Sequence, residues 1–436
     1  MAQRSDGIVG ASSPVVALGG CLRHTGIVPK TIDIDQLERV LSRLPQNPRI
    51  VVSGNAATPA SAIDAIDRCL PEATIHMLNA MHPLPRREGI TLETAFVGPG
   101  MRKADNLRYV PCRLSLVPVV LHHSLRPDAV IVHTSTPRNG EVSLGIEVNI
   151  LPAAIESARA RGGVVIAITS PRMPFTFGHS SVDLHDIDYL VEADDPVTVV
   201  PVTPADSISA QIGTQISEYI HSGSTLQLGI GGVPDAVLGA IKDARDLRIW
   251  SETISDGVLA LERVGALDPD VPVRQSFMIG SDELYAWADR NPRVAMLRTE
   301  HCNDPALIAR NYAMTSVNGA LQVDLHGQAN ASRVKGQIYS GFGGSTDFIV
   351  GALHSSGGRS FMALPSWHPK ADTSTIVSEL DVPATSFQQS AVVTEQGIAW
   401  LFGAGERDQA RHLIEHAAHP AARDQLREAA AAMLLN

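Results

Sequence analysis

The sequence predicts an α/β protein built from two tandem open domains with parallel or mixed sheets. Three observations point there. Short β-branched runs recur along the chain, each followed by a small-residue turn and an Ala-rich stretch of helical composition. The runs are largely apolar and not alternating, as strands covered by helices on both faces require. A strand–loop–helix unit in the first half also has an echo in the second.

The strand candidates, in order, are Arg49-Ile50-Val51-Val52, Ala129-Val130-Ile131-Val132-His133, Gly163-Val164-Val165-Ile166-Ala167-Ile168, Leu226-Gln227-Leu228, Leu247-Arg248-Ile249-Trp250 and Val294-Ala295-Met296-Leu297. Ala153 to Arg161 and Asp235 to Lys242 supply intervening helices. Later, Met314-Thr315-Ser316-Val317 and Ala320 to Leu325 flank Asn318-Gly319, which predicts a two-residue hairpin and so a mixed sheet. The stretch from Glu406 to Leu435 is Ala-rich and helical, interrupted at His419-Pro420. The echo pairs Val52 to Pro59, leading into Ala60 to Ile66, with Leu228 to Pro234, leading into Asp235 to Ile241. In both, a strand runs through small residues to a proline at a helix start, where its missing N–H costs nothing. The Pro-rich segment PVTVVPVTPADS divides the halves, giving domains at 1–205 and 206–436.

Composition excludes several functions. The chain has 436 residues, 44% apolar and 19% charged, enough to bury substantial cores. Its 35 Lys and Arg against 46 Asp and Glu leave a net charge of −11, opposite to what a nucleic-acid binder needs. The N-terminus MAQRSDGIVGASSP lacks a signal-peptide core, and no run approaches the roughly 18 apolar residues of a membrane span. Cys21, Cys69, Cys112 and Cys302 are scattered, with no CxxC pair, and read as free thiols. A cytoplasmic location is the expectation, with no nucleic-acid or membrane partner.

The segment LQLGIGGVPDAVLGAIKDARDLRIWSETISDG, residues 226–257, carries the most chemistry. Gly229, Gly231 and Gly232 lie between a strand and a helix, where backbone N–H groups and the helix N-terminus can meet an anion. A tight turn without a ligand is the plainer alternative. Glu252 is expected just past the C-terminal end of the next strand, the edge where open α/β sheets bind ligands. A dinucleotide fingerprint also fits Gly229, Gly231 and Glu252, but Pro234 stands where its third glycine belongs. His412-Leu413-Ile414-Glu415-His416 spells an inverted zinc-peptidase motif, with only Asp424 and Glu428 downstream as acidic ligands. His122 and His123 would point to opposite faces of a strand and make a poor metal clamp. Ser340-Gly341-Phe342-Gly343-Gly344-Ser345-Thr346-Asp347-Phe348 suits a loop that a ligand or another backbone approaches, with Asp347 a candidate helix cap.

These residues resemble the acetyl-CoA hydrolase/transferase family, a branch of the class I coenzyme A transferases. The resemblance runs through GPGMRKADN, VPCRLSLVP and HTSTPRNGEVSLG in the first half. It continues through GIGGVPDAV, SETISDGV, NDPALIARN, VNGALQVDLHGQAN, SGFGGSTDF, VVTEQGIAWL and AAHPAARDQL in the second. It implies two α/β domains with the active site between them and Glu252 as the catalytic glutamate. It also implies that the loop of Gly229, Ile230, Gly231, Gly232 and Val233, the loop of Gly341, Gly343 and Gly344, and Leu321 contact coenzyme A. Coenzyme A or acyl-CoA would be a substrate, with no metal and no NAD.

The implied reaction is attack by the Glu252 carboxylate on an acyl thioester, giving a mixed anhydride and CoA thiolate. The thiolate then returns to the glutamyl carbonyl, leaving a glutamyl-CoA thioester and a free carboxylate, and a short acceptor such as acetate reverses the sequence. Backbone around Gly231, Gly232, Gly343 and Gly344 is the candidate source of oxyanion donors. Hydrolysis of acyl-CoA by the same glutamate is the close alternative; an NAD-dependent oxidoreductase and a non-catalytic acyl-CoA sensor are the distant ones. Glu395 is expected between a strand and a helix, as a positioning or capping group, with Glu283 and Glu300 as surface or ordering charges. Pro137, Thr375 and Gln396 depart from the usual Asp, Arg and Tyr of the family pattern, which implies either a different acceptor pocket or a divergent member. Base rates favour a homodimer.

Overall fold

The computed structural model describes residues 28–382, 384 and 388–435. Cys21 and the MAQRSDGIVGASSP segment lie outside them. The first sheet is wholly parallel, with eight strands ordered Lys30–Ile32, Tyr189–Glu192, Val164–Thr169, Ala129–Thr134, Arg49–Val52, Ala73–His76, Ile90–Thr94 and Leu107–Tyr109. The second has nine, ordered Gly397–Trp400, Ala391–Thr394, Arg359–Ala363, Met314–Gly319, Thr225–Leu228, Arg248–Ile254, Val273–Met278, Val294–Met296 and Phe177–Gly178. Its Gly397–Trp400 and Ala391–Thr394 pair is antiparallel and its other pairings are parallel. Ala129–Thr134 is buried along its whole length, the environment its unbroken apolar run called for. No helix among the described residues is long and apolar enough to cross a membrane.

The halves are joined by more than a linker. Phe177–Gly178 comes from the first half yet pairs with Val294–Met296 of the second. In the Pro-rich segment, Thr198 N–H donates to Ala56 O and Val200 N–H to Gly280 O, tying it to both halves. One apolar cluster runs from Val51 and Val130 of the first sheet to Ile249 and Phe361 of the second.

The echo is real geometry. Arg49–Val52 leads through a short turn to helix Ala60–Cys69, as Thr225–Leu228 leads through Gly229 to Gly231 into helix Gly232–Ala240. The Asn318-Gly319 hairpin is not formed. Met314–Gly319 runs straight through both residues, paired in parallel with Arg359–Ala363, and Gln322–Asp324 joins a separate three-stranded sheet. Partners on both sides of the strand override the local turn preference. The sheet is mixed for another reason: the hairpin lies at Glu395-Gln396.

The interlocked strand makes a test. Gly178 has φ +95°, and a Cβ there would lie 2.4 Å from Met296 O. Gly178→Ala should lower stability in urea unfolding by about 1–3 kcal/mol. An unchanged midpoint would mean that this strand exchange does not hold the halves together.

Candidate active site

Glu252 lies inside its strand, Arg248–Ile254, and not just past its end. The expected position still holds in one sense, because the strand outruns its neighbour. It pairs with Thr225–Leu228 only at Arg248 and Ile249, and from Trp250 onward only with Val273–Met278. Where that ladder stops, Ser251 Oγ bonds to Leu228 O at 2.9 Å, satisfying a carbonyl the ladder has left. Trp250 Nε1 donates to Cys302 O at 2.8 Å, fixing the strand to helix Thr299–Cys302.

The residue after that helix holds the carboxylate. Asn303 Nδ2 donates to Glu252 Oε2 at 2.7 Å. Gly344 packs against this same hydrogen bond: a Cβ on it would lie 1.9 Å from Glu252 Oε2 and 2.1 Å from Asn303 Nδ2. Only glycine fits there. Its loop is stitched to the first half, with Val97 N–H donating to Ser340 O at 2.9 Å and Leu114 N–H to Gly343 O at 3.0 Å. Phe96 and Gly341 form an antiparallel bridge, and a Cβ on Gly341 would meet Ala95 O at 2.5 Å. Glu252 therefore lies on the seam between the halves.

Burial dominates the electrostatics. It pushes the Glu252 carboxyl up to about 7, against the lowering effect of the Asn303 hydrogen bond and with a further rise from Asp347. Asp347 is in the first turn of helix Ser345–His354, inside it and not capping it, with Arg113 Nη1 4.0 Å away. Burial raises it to about 6. Glu147, 1% exposed, accepts from Asn55 Nδ2 at 2.7 Å, and burial raises it to about 8 with a contribution from the Glu252 charge. Three acids are thus held above the ordinary carboxylate range around one seam, a pattern typical of reactive sites.

The remaining predicted residues are placed as follows. Gly229, Ile230, Gly231, Gly232 and Val233 form the turn from the neighbouring strand into helix Gly232–Ala240, with Gly231 at φ +119°. The space where Cβ atoms of Gly229 and Gly231 would sit is open, and Ile230 is exposed. Gly341, Gly343 and Gly344 occupy the seam, and Gly344 alone abuts the carboxylate. Leu321, half-buried just past strand Met314–Gly319, donates its N–H to Asn330 O at 2.7 Å; no hydrogen bond among the described residues joins it to the Glu252 group. Glu395 precedes a strand and not a helix. It fills the hairpin turn, where burial raises it but hydrogen bonds from Ser366 N–H and Oγ win and hold it below its ordinary value. His412 bonds through Nδ1 to Trp400 O, and Leu413–Ala417 is a π turn. No three His, Cys, Asp or Glu side chains among the described residues are grouped as metal ligands.

Asn303, Glu147 and Asn55 were not singled out by sequence. Asn303 opens the NDPALIARN motif, so its signal was present. Glu147 is an acid between Ile146 and Val148, out of place in an apolar run. Asn55 lies in the small-residue turn of the echo, at φ +47°.

Comparison with known proteins identifies the family. The family model for the acetyl-CoA hydrolase/transferase N-terminal domain matches residues 87–203, and that for its C-terminal domain matches residues 280–430. A 4-hydroxybutyrate coenzyme A transferase of Clostridium kluyveri is 33% identical over 412 residues, 89% of this chain and 95% of that protein. The structure of a 4-hydroxybutyrate CoA-transferase from Porphyromonas gingivalis superposes with a TM-score of 0.78 at 31% identity, covering 93% of this chain and 98% of that one. RipA from Yersinia pestis gives 0.87 at 27% identity over the same shares. The fold is that of CoA-handling α/β enzymes. The chain belongs to the acetyl-CoA hydrolase/transferase family.

Two outcomes follow from the geometry. Gly344→Ala must displace the Glu252 carboxylate, and a shift near 1 Å should lower kcat about a hundredfold in steady-state assays; wild-type kcat would contradict the contact. Glu252→Gln removes an acid that ionises near 4.5 in its ordinary state and near 7 when folded. Wild-type stability relative to the variant should therefore be greatest below pH 4.5, fall between about 4.5 and 7 as the unfolded chain ionises first, and level off above. The total change is on the order of 3 kcal/mol. A difference that does not vary across this window would show that the carboxyl is not perturbed.

Proposed function

We propose that this chain is a CoA-transferase that moves coenzyme A between an acyl-CoA and a short carboxylate through a thioester on Glu252. The observation that carries the reading is the Glu252 carboxylate on the seam, held by Asn303 at 2.7 Å and raised to about 7 by burial. Near neutral pH such a group is substantially ionised yet poorly solvated, which suits a nucleophile. Its engagement with Asn303 and Gly344 also argues against the ribose-binding role that a dinucleotide site would give it.

Glu252 attacks the thioester carbonyl, the C–S bond breaks, and CoA thiolate leaves from an acyl-glutamyl anhydride. The thiolate adds back at the glutamyl carbonyl and expels the original carboxylate. An acceptor carboxylate then runs the two steps in reverse and departs as acyl-CoA. Backbone N–H groups around Gly231, Gly232, Gly343 and Gly344 are proposed to meet the oxyanions, and Gly229 to Val233, Gly341 and Leu321 to contact coenzyme A. The proposal extends to a cytoplasmic homodimer whose functional halves divide near residue 205. The family also includes hydrolases, in which water replaces the acceptor, and the exclusion of water decides between them.

Wild-type protein incubated with acetyl-CoA should carry coenzyme A on the peptide containing Ser251-Glu252-Thr253, and borohydride should reduce that thioester to an alcohol. Glu252→Gln should form no adduct and lose about 10⁴-fold or more in kcat. Acetyl-CoA consumption should need an added carboxylate; full-rate loss without one would favour the hydrolase. An adduct elsewhere, or an active Glu252→Gln enzyme, would overturn the assignment.

A further inference from the structure

Helix Thr299–Cys302 is one turn long and ends at Asn303, so whatever fixes this turn fixes the amide that holds Glu252. Its two ends are fastened to different halves. At the far end, Trp250 Nε1 donates to Cys302 O at 2.8 Å and Cys302 Sγ to Ser251 O at 3.1 Å, both on the Glu252 strand. At the near end the partners come from the first half. Thr299 N–H donates to Asn149 O at 2.9 Å, and Arg298 N–H to His179 Nδ1 at 3.1 Å. The Arg298 guanidinium grips Glu156, on helix Leu151–Arg159, through Nη1 and Nη2 at 2.7 Å each, and its Nε donates to Glu300.

The turn also orients the amide. Asn303 N–H donates to Thr299 O at 2.8 Å, and Thr299 Oγ1 donates, at a long 3.5 Å, to Asn303 Oδ1. With Oδ1 facing a hydroxyl, Nδ2 is the atom left for the carboxylate. Thr299 and Asn303 are both buried, so no water substitutes freely for either.

We propose that Arg298 and Glu156 are positioning residues for the reaction: their two-pronged pair sets helix Thr299–Cys302 against the first half, and so sets the Asn303 amide against Glu252. The inference rests on the transferase reading, in which Glu252 is the nucleophile. The hydrogen bond at the seam then joins a carboxylate borne by the second sheet to an amide anchored on the first half, and it forms only when the halves are aligned. Two parallel N–H bonds fix direction as well as distance, which a lysine ammonium does not. The pair contributes little to stability, because the Glu156 side chain is 51% exposed. Its effect is geometric.

The surrounding charges do not supply another route. His122 lies 4.0 Å from Glu156, and the His179 and His301 rings meet edge to face at 5.2 Å beside the helix. Asp347 and the Cys302 thiol face Glu252. Glu252 itself responds to burial, to Asn303 and to Asp347, and the clamp acts through the second of these.

The direction of one shift tests the clamp. The Asn303 bond lowers the Glu252 midpoint, so loosening it moves that midpoint up from about 7. Carbon-13 carboxyl titration should show a rise in both Arg298→Ala and Glu156→Ala, whereas a bare charge effect would raise it in the first and lower it in the second. A rise of about one unit in Arg298→Ala means glutamyl-CoA formation about tenfold slower near pH 6, with the deficit almost gone near pH 9. Glu156→Ala, which leaves Glu300 on the guanidinium, should cost about threefold near pH 6. In an Asn303→Ala background neither substitution should move the midpoint further. Glu156→Ala puts a better helix former at a half-exposed site, so it remains testable if Arg298→Ala does not fold. A midpoint that stays or falls in Glu156→Ala overturns the proposal, as does a further rise on top of Asn303→Ala. Absence of the adduct in wild type overturns the transferase reading instead and leaves the titration result standing, so the two failures are distinguishable.

Discussion

Taking a carboxylate out of water costs several kcal/mol unless partners replace the solvent, and that cost organises this protein around Glu252. The replacement is sparse: one amide, from Asn303, with the backbone of Gly344 packed against the same oxygen. Full compensation would give a stable, inert ion pair. Partial compensation leaves the acid near 7, where it shifts between charged and neutral forms with little driving force. The neighbouring acids obey the same constraint. Glu147 and Asp347 are raised by burial too, so the seam limits how much negative charge it can hold at once.

Such a site must be assembled from both halves, because neither sheet alone encloses it. The strand bearing Glu252 belongs to the second half, while Asn55 and Glu147 belong to the first. The SGFGG loop reaches from the second half and bonds to backbone at Val97 and Leu114 of the first. Strand Phe177–Gly178 crosses in the opposite direction. Two reciprocal exchanges make the relative placement of the halves part of the active-site geometry. The GIGGV turn, by contrast, is open at Gly229 and Gly231, as suits the approach of a large ligand, while Gly232 packs against Ser209.

Much of the architecture was legible because buried parallel strands leave continuous apolar runs, as in Ala129 to His133 and Val164 to Ile168. Local turn chemistry was a poorer guide. Asn318-Gly319 has an ideal hairpin spelling but lies in a strand flanked by Thr225–Leu228 and Arg359–Ala363, whose pairing decides the matter. Glu252 stood out because strand, glycine turn and motif coincide within one segment, although it lies inside the strand and not past its end. Asn303 was missed because it reaches Glu252 from a helix end distant in sequence, and Glu147 because its partner Asn55 lies in a remote turn, so no single window contains both members of either contact. Glu395 shows the converse: an acid in a recognisable motif whose carboxyl is engaged by Ser366 and Gln396.

The central claim is that protein packing, more than any charged partner, sets the ionisation of Glu252. Carbon-13 NMR of protein labelled at glutamate carboxyls, titrated beside Glu252→Gln to assign the missing resonance, measures it directly. The account predicts a Glu252 midpoint near 7 in the ligand-free enzyme. A midpoint at the ordinary 4.5 would contradict it, because the carboxylate would then be as well solvated on the seam as in water.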